Sequence, residues 1–283
     1  MDAPTGQLIQ MEPGIARLLA PNPSAFTFTG TQVHLVGTDE LAVIDPGPNS
    51  AGHLEALLSA IGGRTVAAIL ITHTHRDHSP AANPLREATG APVVGCAALG
   101  DQGSGAEGGF DPDYRPDRVL ADGESITVDG HRLTAIATPG HTSNHICFAH
   151  EPSGALFSGD HVMGWSTSVV IPPDGDMGDY LRSLEKLRSR NDRIYYPAHG
   201  DPVLEPQRLV RGMILHRLQR EAQILRQLGE RDQTVPEIVA AAYAGLDSRL
   251  RSAAGASVLA HLLDLQQRGL VRAENERWML HAD

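Results

Sequence analysis

Lysine is almost missing from this chain. Of 23 basic residues only Lys186 is a lysine, the rest being arginine. Such a bias points to a GC-rich bacterial genome and says nothing of function. Cysteine is nearly as scarce: Cys96 and Cys147 lie far apart in apolar stretches. That excludes a disulfide framework and predicts two buried thiols in a reducing compartment. No apolar run approaches the roughly 18 residues of a membrane helix. The opening Met1-Asp2-Ala3-Pro4-Thr5 has neither the basic nor the apolar region of a signal peptide. The expected location is therefore cytoplasmic, with no membrane partner. No Gly-x-Ser-x-Gly elbow is present, which fits a mechanism that needs no serine nucleophile. Basic charge is in deficit too, the net charge being −11.

Histidine is abundant, at 14 residues, and it clusters. Residues 72–78 read Thr72-His73-Thr74-His75-Arg76-Asp77-His78. The apolar run Val66–Ile71 before them reads as a buried strand, and Ser79–Leu85 after them as a helix start that Pro84 delays. Alternate residues of extended chain point the same way, so His73 and His75 can converge on one ion. As the chain turns, Asp77 and His78 swing toward a neighbouring position. Three later strand ends supply partners: Thr138-Pro139-Gly140-His141-Thr142, Phe157-Ser158-Gly159-Asp160-His161, and Tyr195-Tyr196-Pro197-Ala198-His199-Gly200. Each places His or Asp beside a glycine that lets the backbone turn. The expected ligands are His73, His75 and His141 for one metal, and Asp77, His78 and His199 for a second, with Asp160 bridging. Imidazole and carboxylate suit zinc, and equally Mn2+ or Fe2+.

With Asp45 in Val43-Ile44-Asp45-Pro46-Gly47, these motifs make five, and over residues 20–205 the chain resembles the metallo-β-lactamase superfamily. The resemblance implies a four-layer αββα sandwich, an α/β (α+β) fold, with the metals at one edge. Aspartate at position 160 resembles the glyoxalase II-like and nuclease-like branches rather than true zinc β-lactamases. Histidine rather than glutamate at position 75 favours hydrolysis over the oxygen chemistry of di-iron members. Asp45 is a candidate to orient a ligand histidine. His145 and His161 are read as neighbours of ligands only.

Residues 1–204 read as the catalytic domain. Within it, residues 26–46 alternate like a hairpin starting at Phe26–Thr29, and Asp129-Gly130 marks a tight turn. His53 heads an exposed helical face, His34 belongs to a strand, and residues 100–117 form a Gly- and Asp-rich loop that can line the cleft. Asp176–Arg190 is an amphipathic helix. Residues 205–283 change character: a long helix over 205–229 ended by Gly229, a capping box at Thr234–Glu237, short helices at Ser248–Ser252 and Ala254–Arg268, and a final hairpin. This resembles the winged-helix appendage of the branch holding β-lactamase-like endoribonucleases and acyl-carrier thioesterases.

Residues 204–283 carry 11 Arg against 10 acids, and residues 1–203 carry 12 cations against 24 acids. An acidic body attracts polyanions poorly. The expected enzyme is thus a dinuclear zinc hydrolase acting on a small ester, thioester or lactam, with Asp77 and Asp160 its catalytic carboxylates. A metal-dependent endoribonuclease is the alternative, disfavoured by charge. A mononuclear iron persulfide or thiol dioxygenase, with iron on His73, His141 and Asp160, is the third reading.

Overall fold

A computed structural model describes residues 4–99, 109–243, 245 and 251–281. The chain divides into two compact units. One comprises Met1–Thr138, Asn144–Thr167 and Asn191–Pro206, and the other Pro139–Ser143, Ser168–Arg190 and Gln207–Asp283.

The first unit holds two sheets. Strands β1 (Leu8–Glu12), β2 (Ile15–Leu19), β3 (Gln32–Val36), β4 (Glu40–Ile44), β5 (Thr65–Ile71), β6 (Val93–Gly95) and β7 (Arg118–Val119) lie in chain order across the larger sheet. The pairs β4–β5 and β5–β6 are parallel, joined by helices α1 (Ala51–Ile61) and α2 (Ala82–Thr89). β4 and β5 are almost wholly buried, which is why they read as continuous aliphatic runs rather than alternating ones. Strands β8 (Ser125–Val128), β9 (His131–Ala137), β10 (Ile146–His150), β11 (Ala155–Gly159) and β12 (Ile194–Pro197) form the smaller sheet in the order β12-β11-β10-β9-β8. Side chains from both sheets share one core, where Ile44, Ile69 and Leu133 meet Phe148 and Phe157.

Two features set up the site. The parallel pairing of β4 with β5 brings their ends together, and the amide of Asp45 donates to the Leu70 carbonyl at 2.8 Å. The parallel pairing of β11 with β12 does the same for Gly159 and Pro197, and the Ala198 amide donates to Gly159 at 3.1 Å. At this end the sheets are stitched together: the Ile146 amide donates to Thr72, and that of Gln32 to Ala198.

Two expectations change, at Phe26–Thr29 and His53, while those for His34 and Asp129-Gly130 hold. Phe26–Thr29 is not a strand; Ser24 Oγ accepts from the amides of Phe26 and Thr27, and Phe28 has φ 57°, so the segment is a turn. The partner of β3 on that side is β2. His53 is buried at 1% exposure, its Nε2 donating to the Pro46 carbonyl at 2.7 Å. His34 is a core residue beside Phe157 and Tyr196. Asp129 and Gly130 both take positive φ and close the β8–β9 hairpin.

The second unit is mainly helical. α3 (Met177–Arg188) begins at Asp176, whose carboxylate accepts from the Asp179 amide at 2.7 Å. It buries Met177, Tyr180, Leu184 and Leu187. α4 (Pro206–Glu230) runs through Gly229 rather than ending there. α5 (Val235–Ala242) opens with the expected capping box between Thr234 and Glu237. α6 (Arg251–Gln267) is followed by strands β13 (Val271–Glu274) and β14 (Arg277–Leu280), paired as a hairpin. Ile224, Ile238, Val258, Leu262 and Trp278 form its core. The short helix expected at Ser248–Ser252 falls partly outside the described residues, and Arg251 and Ser252 belong to the first turn of α6. No described helix is long and apolar enough to cross a membrane.

Candidate metal centre

The loop after β5 carries His73, His75, Asp77 and His78 over the joined ends of the two sheets. His73 and His78 are fully buried, and the Nδ1 of each is committed to a neighbour. His73 Nδ1 donates to Thr72 Oγ1 at 3.0 Å, and that hydroxyl donates to Asp45 Oδ2 at 2.6 Å. His78 Nδ1 donates to the same Asp45 oxygen at 3.0 Å. The other Asp45 oxygen accepts from the Thr72 amide at 2.8 Å. His199, on the loop after β12, points Nδ1 at the Gly30 carbonyl, 3.2 Å away. His78 and His199 face groups that only accept, and the Thr72 hydroxyl gives its own hydrogen to Asp45, so in their neutral form these rings carry the proton on Nδ1 and the lone pair on Nε2.

The lone pairs converge. His78 Nε2 and His199 Nε2 each lie 3.2 Å from Asp77 Oδ2. Asp160 turns one oxygen to each side: Oδ1 is 3.2 Å from His199 Nε2, while Oδ2 is 3.5 Å from His78 and 4.0 Å from His73. His75 meets His73 the other way round, its Nδ1 standing 3.0 Å from His73 Nε2. One ligand atom each from Asp77, His78 and His199 lie within 4.8 Å of one another, as do those of His73, His75 and Asp160. His141 belongs to the second unit, where its Nδ1 donates to the Val169 carbonyl at 2.6 Å, which leaves the lone pair on Nε2.

This donor chemistry fits a divalent metal. His78 Nε2 is buried without a hydrogen-bond partner, although Asp77 and Asp160 carboxylates lie beside it. Burial pushes Asp77 and Asp160 toward the neutral form, yet the imidazoles of His78 and His199 more than offset that and hold both below the usual carboxylate range. Burial likewise opposes a charge on His199, but Asp160 and Asp77 raise it to about 10. His78 is raised for the same reasons. Such a nest attracts cationic charge, whether protons or a metal ion.

Sequence reasoning missed the supports. Thr31 Oγ1 donates to Asp77 Oδ2 at 3.0 Å, and His145 Nε2 accepts from the Asp160 amide at 3.2 Å while its Nδ1 faces Thr138 Oγ1 at 2.9 Å. His145 is thus a positioning residue rather than a bystander. A signal for it existed, a histidine four residues past His141 and just before β10, but nothing local tells its role. Gly159, at φ 50°, packs so closely that a Cβ would stand 2.6 Å from His145 Nε2. From the loop over 100–117, Phe110 stacks on the His75 ring at 4.8 Å, whereas residues 100–108 lie outside the described residues. On the other flank, exposed Phe28 stacks on exposed Trp165 at 4.9 Å. Both lie one or two residues from His199's backbone partners, Gly30 and Gly164.

Comparison with known proteins places the fold in a family. The profile of the metallo-beta-lactamase superfamily matches residues 27–199, and that of the beta-lactamase associated winged helix domain matches residues 234–278. The chain is 31% identical over 271 residues to the Beta-lactamase-like protein 2 homolog of Caenorhabditis elegans, covering 93% of this chain and 87% of that one. It is 29% identical over 231 residues to an atrochrysone carboxyl ACP thioesterase of Cryptosporiopsis sp. (strain 8999). That match takes in 80% of this chain but only 66% of the thioesterase, just under two thirds. Among solved structures, a metallo-beta-lactamase family protein from Thermus thermophilus superposes with a TM-score of 0.78 at 24% identity, over 95% of this chain and 99% of that one. The chain belongs to the metallo-beta-lactamase superfamily and carries the associated C-terminal winged helix.

Proposed function

We propose that this protein is a dinuclear zinc hydrolase of small carbonyl substrates, with a thioester as the preferred class. The observation that carries the reading is Asp160, which directs one oxygen toward His199 and the other toward His73 and His78, as a carboxylate shared by two ions must. The first position would be held by His73, His75 and Asp160, whose donor atoms gather within one group, with His141 added on the resemblance to the superfamily. The second takes Asp77, His78 and His199. When bound, the two ions supply an acidified water and a polarised carbonyl. Mn2+ and Fe2+ suit the same donors.

The chain's own residues have separable tasks. Asp45 and Thr72 fix the ring orientation of His73 and His78. Asp77 is the most open carboxylate of the group, its side chain 25% exposed against 10% for Asp160 and 3% for Asp45. It is therefore the group within reach of substrate to accept and return a proton, with Thr31 holding the oxygen that points inward. The Phe28–Trp165 stack offers an apolar ledge for the acyl part. Preference for a thioester draws on the thioesterase relative, and the acidic body favours a small neutral group over a nucleic acid.

The test is metal content of the purified chain together with initial rates on matched acyl thioesters, oxyesters, lactams and a short RNA. Two zinc ions per chain and hydrolysis fastest on a thioester are expected. About one iron per chain with little zinc overturns the dinuclear reading. Fastest turnover of RNA, falling steeply with salt, overturns the substrate class.

A further inference from the structure

Arg217 sits in the middle of α4 at 4% exposure, and no carboxylate pairs with it among the described residues. A buried guanidinium without a counter-ion is costly, so its contacts matter. One terminal nitrogen donates to the Ser168 carbonyl, and the other to Ser257 Oγ on α6 at 3.3 Å. Its guanidinium carbon also lies 5.3 Å from the centre of the Tyr180 ring.

Both main contacts lead to His141. Ser168 is buried, and the next residue, Val169, presents the carbonyl that accepts from His141 Nδ1 at 2.6 Å. Tyr180 forms the wall behind the His141 turn: a Cβ on Gly140 would stand 2.3 Å from Tyr180 Cα. The turn is tied on two further sides, Asp176 donating its amide to Gly140 at 3.0 Å and Ser183 its hydroxyl to the Pro139 carbonyl at 2.8 Å. Residues 139–143 thus cluster with the helices rather than with the strand that precedes them.

We infer that Arg217 is a positioning residue for His141: through the Ser168–Val169 backbone and the Tyr180 ring, the helical C-terminal region sets the direction of one metal ligand. The inference rests on His141 being a ligand, as proposed above. It accounts for an arginine where a buried leucine would pack at less cost.

The experiment titrates the metal-stripped, full-length protein with Co2+ alone, reading the visible absorption of each binding step, alongside the thermal midpoint. Arg217→Met keeps the bulk and removes the donors. It is expected to weaken one Co2+ step by roughly 10- to 100-fold, the usual cost of losing an outer partner of a ligand, and to leave the other step in place. Arg217→Lys, still able to donate to the carbonyl, is expected to recover most of that loss. Should Arg217→Met not fold, Arg217→Gln, uncharged and too short to reach Ser168, takes its place. Equal weakening of both steps, or a lowered midpoint with both steps intact, overturns the inference. His141→Ala separates the two levels. If it leaves both Co2+ steps unchanged, the ligand assignment is wrong; if it weakens one step and Arg217→Met weakens neither, only the role of Arg217 is wrong.

Discussion

Asp45 Oδ2 accepts from both His78 Nδ1 and the Thr72 hydroxyl, so a single carboxylate oxygen aligns two histidines of the centre. Asp45 does this at φ 48°, a left-handed conformation that aspartate and asparagine tolerate better than most side chains. Asp45→Asn should therefore keep the backbone and lose one acceptor. The expected result is metal affinity weaker by roughly 10- to 100-fold, measured by competition with a chelator, with an unchanged far-UV spectrum. Unaltered affinity would remove Asp45 from the centre.

Gly140 and Gly212 make a matched pair. A Cβ at Gly140 collides with the backbone of Tyr180, and its φ is 135°, whereas Gly212, inside α4, has nothing within 4 Å. Gly140→Ala should lower stability by about 1–3 kcal/mol, the usual cost of overpacking. Gly212→Ala should raise it by roughly 0.5–1 kcal/mol. Denaturant midpoints with unchanged slopes would check both, and a neutral Gly140→Ala would contradict the packing described.

Acid should unfold the protein partly through His34. Burial, and then the nearby Arg17 charge, lowers its pKa from 6.5 to about 3. The unfolded chain takes up this proton as the pH falls through 6.5, and the folded chain does not until about 3. Its contribution is thus complete above 6.5 and drains away between 6.5 and about 3. Buried His261 behaves alike, with the same end point. His34→Leu should flatten the decline of the thermal midpoint over that window, and an identical pH profile would show that His34 takes no part.

Substrate preference should follow the Phe28–Trp165 stack. An aromatic pair contributes about 0.5–1.5 kcal/mol beyond its area, and loss of a contact of that size with the acyl group is roughly a 2- to 12-fold change in KM. Phe28→Ala and Trp165→Ala are expected to raise KM for thioesters with bulky apolar acyl groups, and to leave acetyl thioesters and metal content unchanged. Equal effects on both substrates would place the acyl group elsewhere.

The strand ends were legible because the chemistry there is local: His73 follows the aliphatic run Val66–Ile71, and Asp160 and His199 each adjoin a glycine at the end of a strand. The capping box at Thr234 was readable for the same reason. What escaped depends on distant chain. Nothing near Thr31 reveals that its hydroxyl reaches Asp77, 46 positions away. His145 looked like a neighbour of a ligand because its bond to the Asp160 amide is made only when β10 and β11 align. Phe26–Thr29 imitated a strand by alternation until Ser24 capped it as a turn. His53 seemed solvent-facing because a helix's buried stripe cannot be fixed without knowing the Pro46 carbonyl beside it.

Both cysteines are free and buried, so no disulfide braces the fold. On the proposed ligand set, an ion held by Asp77, His78 and His199 ties together positions that enclose a chain segment of about 120 residues, a loop long enough for closure to restrict the unfolded ensemble strongly. The metals then serve as reversible cross-links between the two sheets, and the protein's resistance to unfolding becomes a readout of the free metal around it.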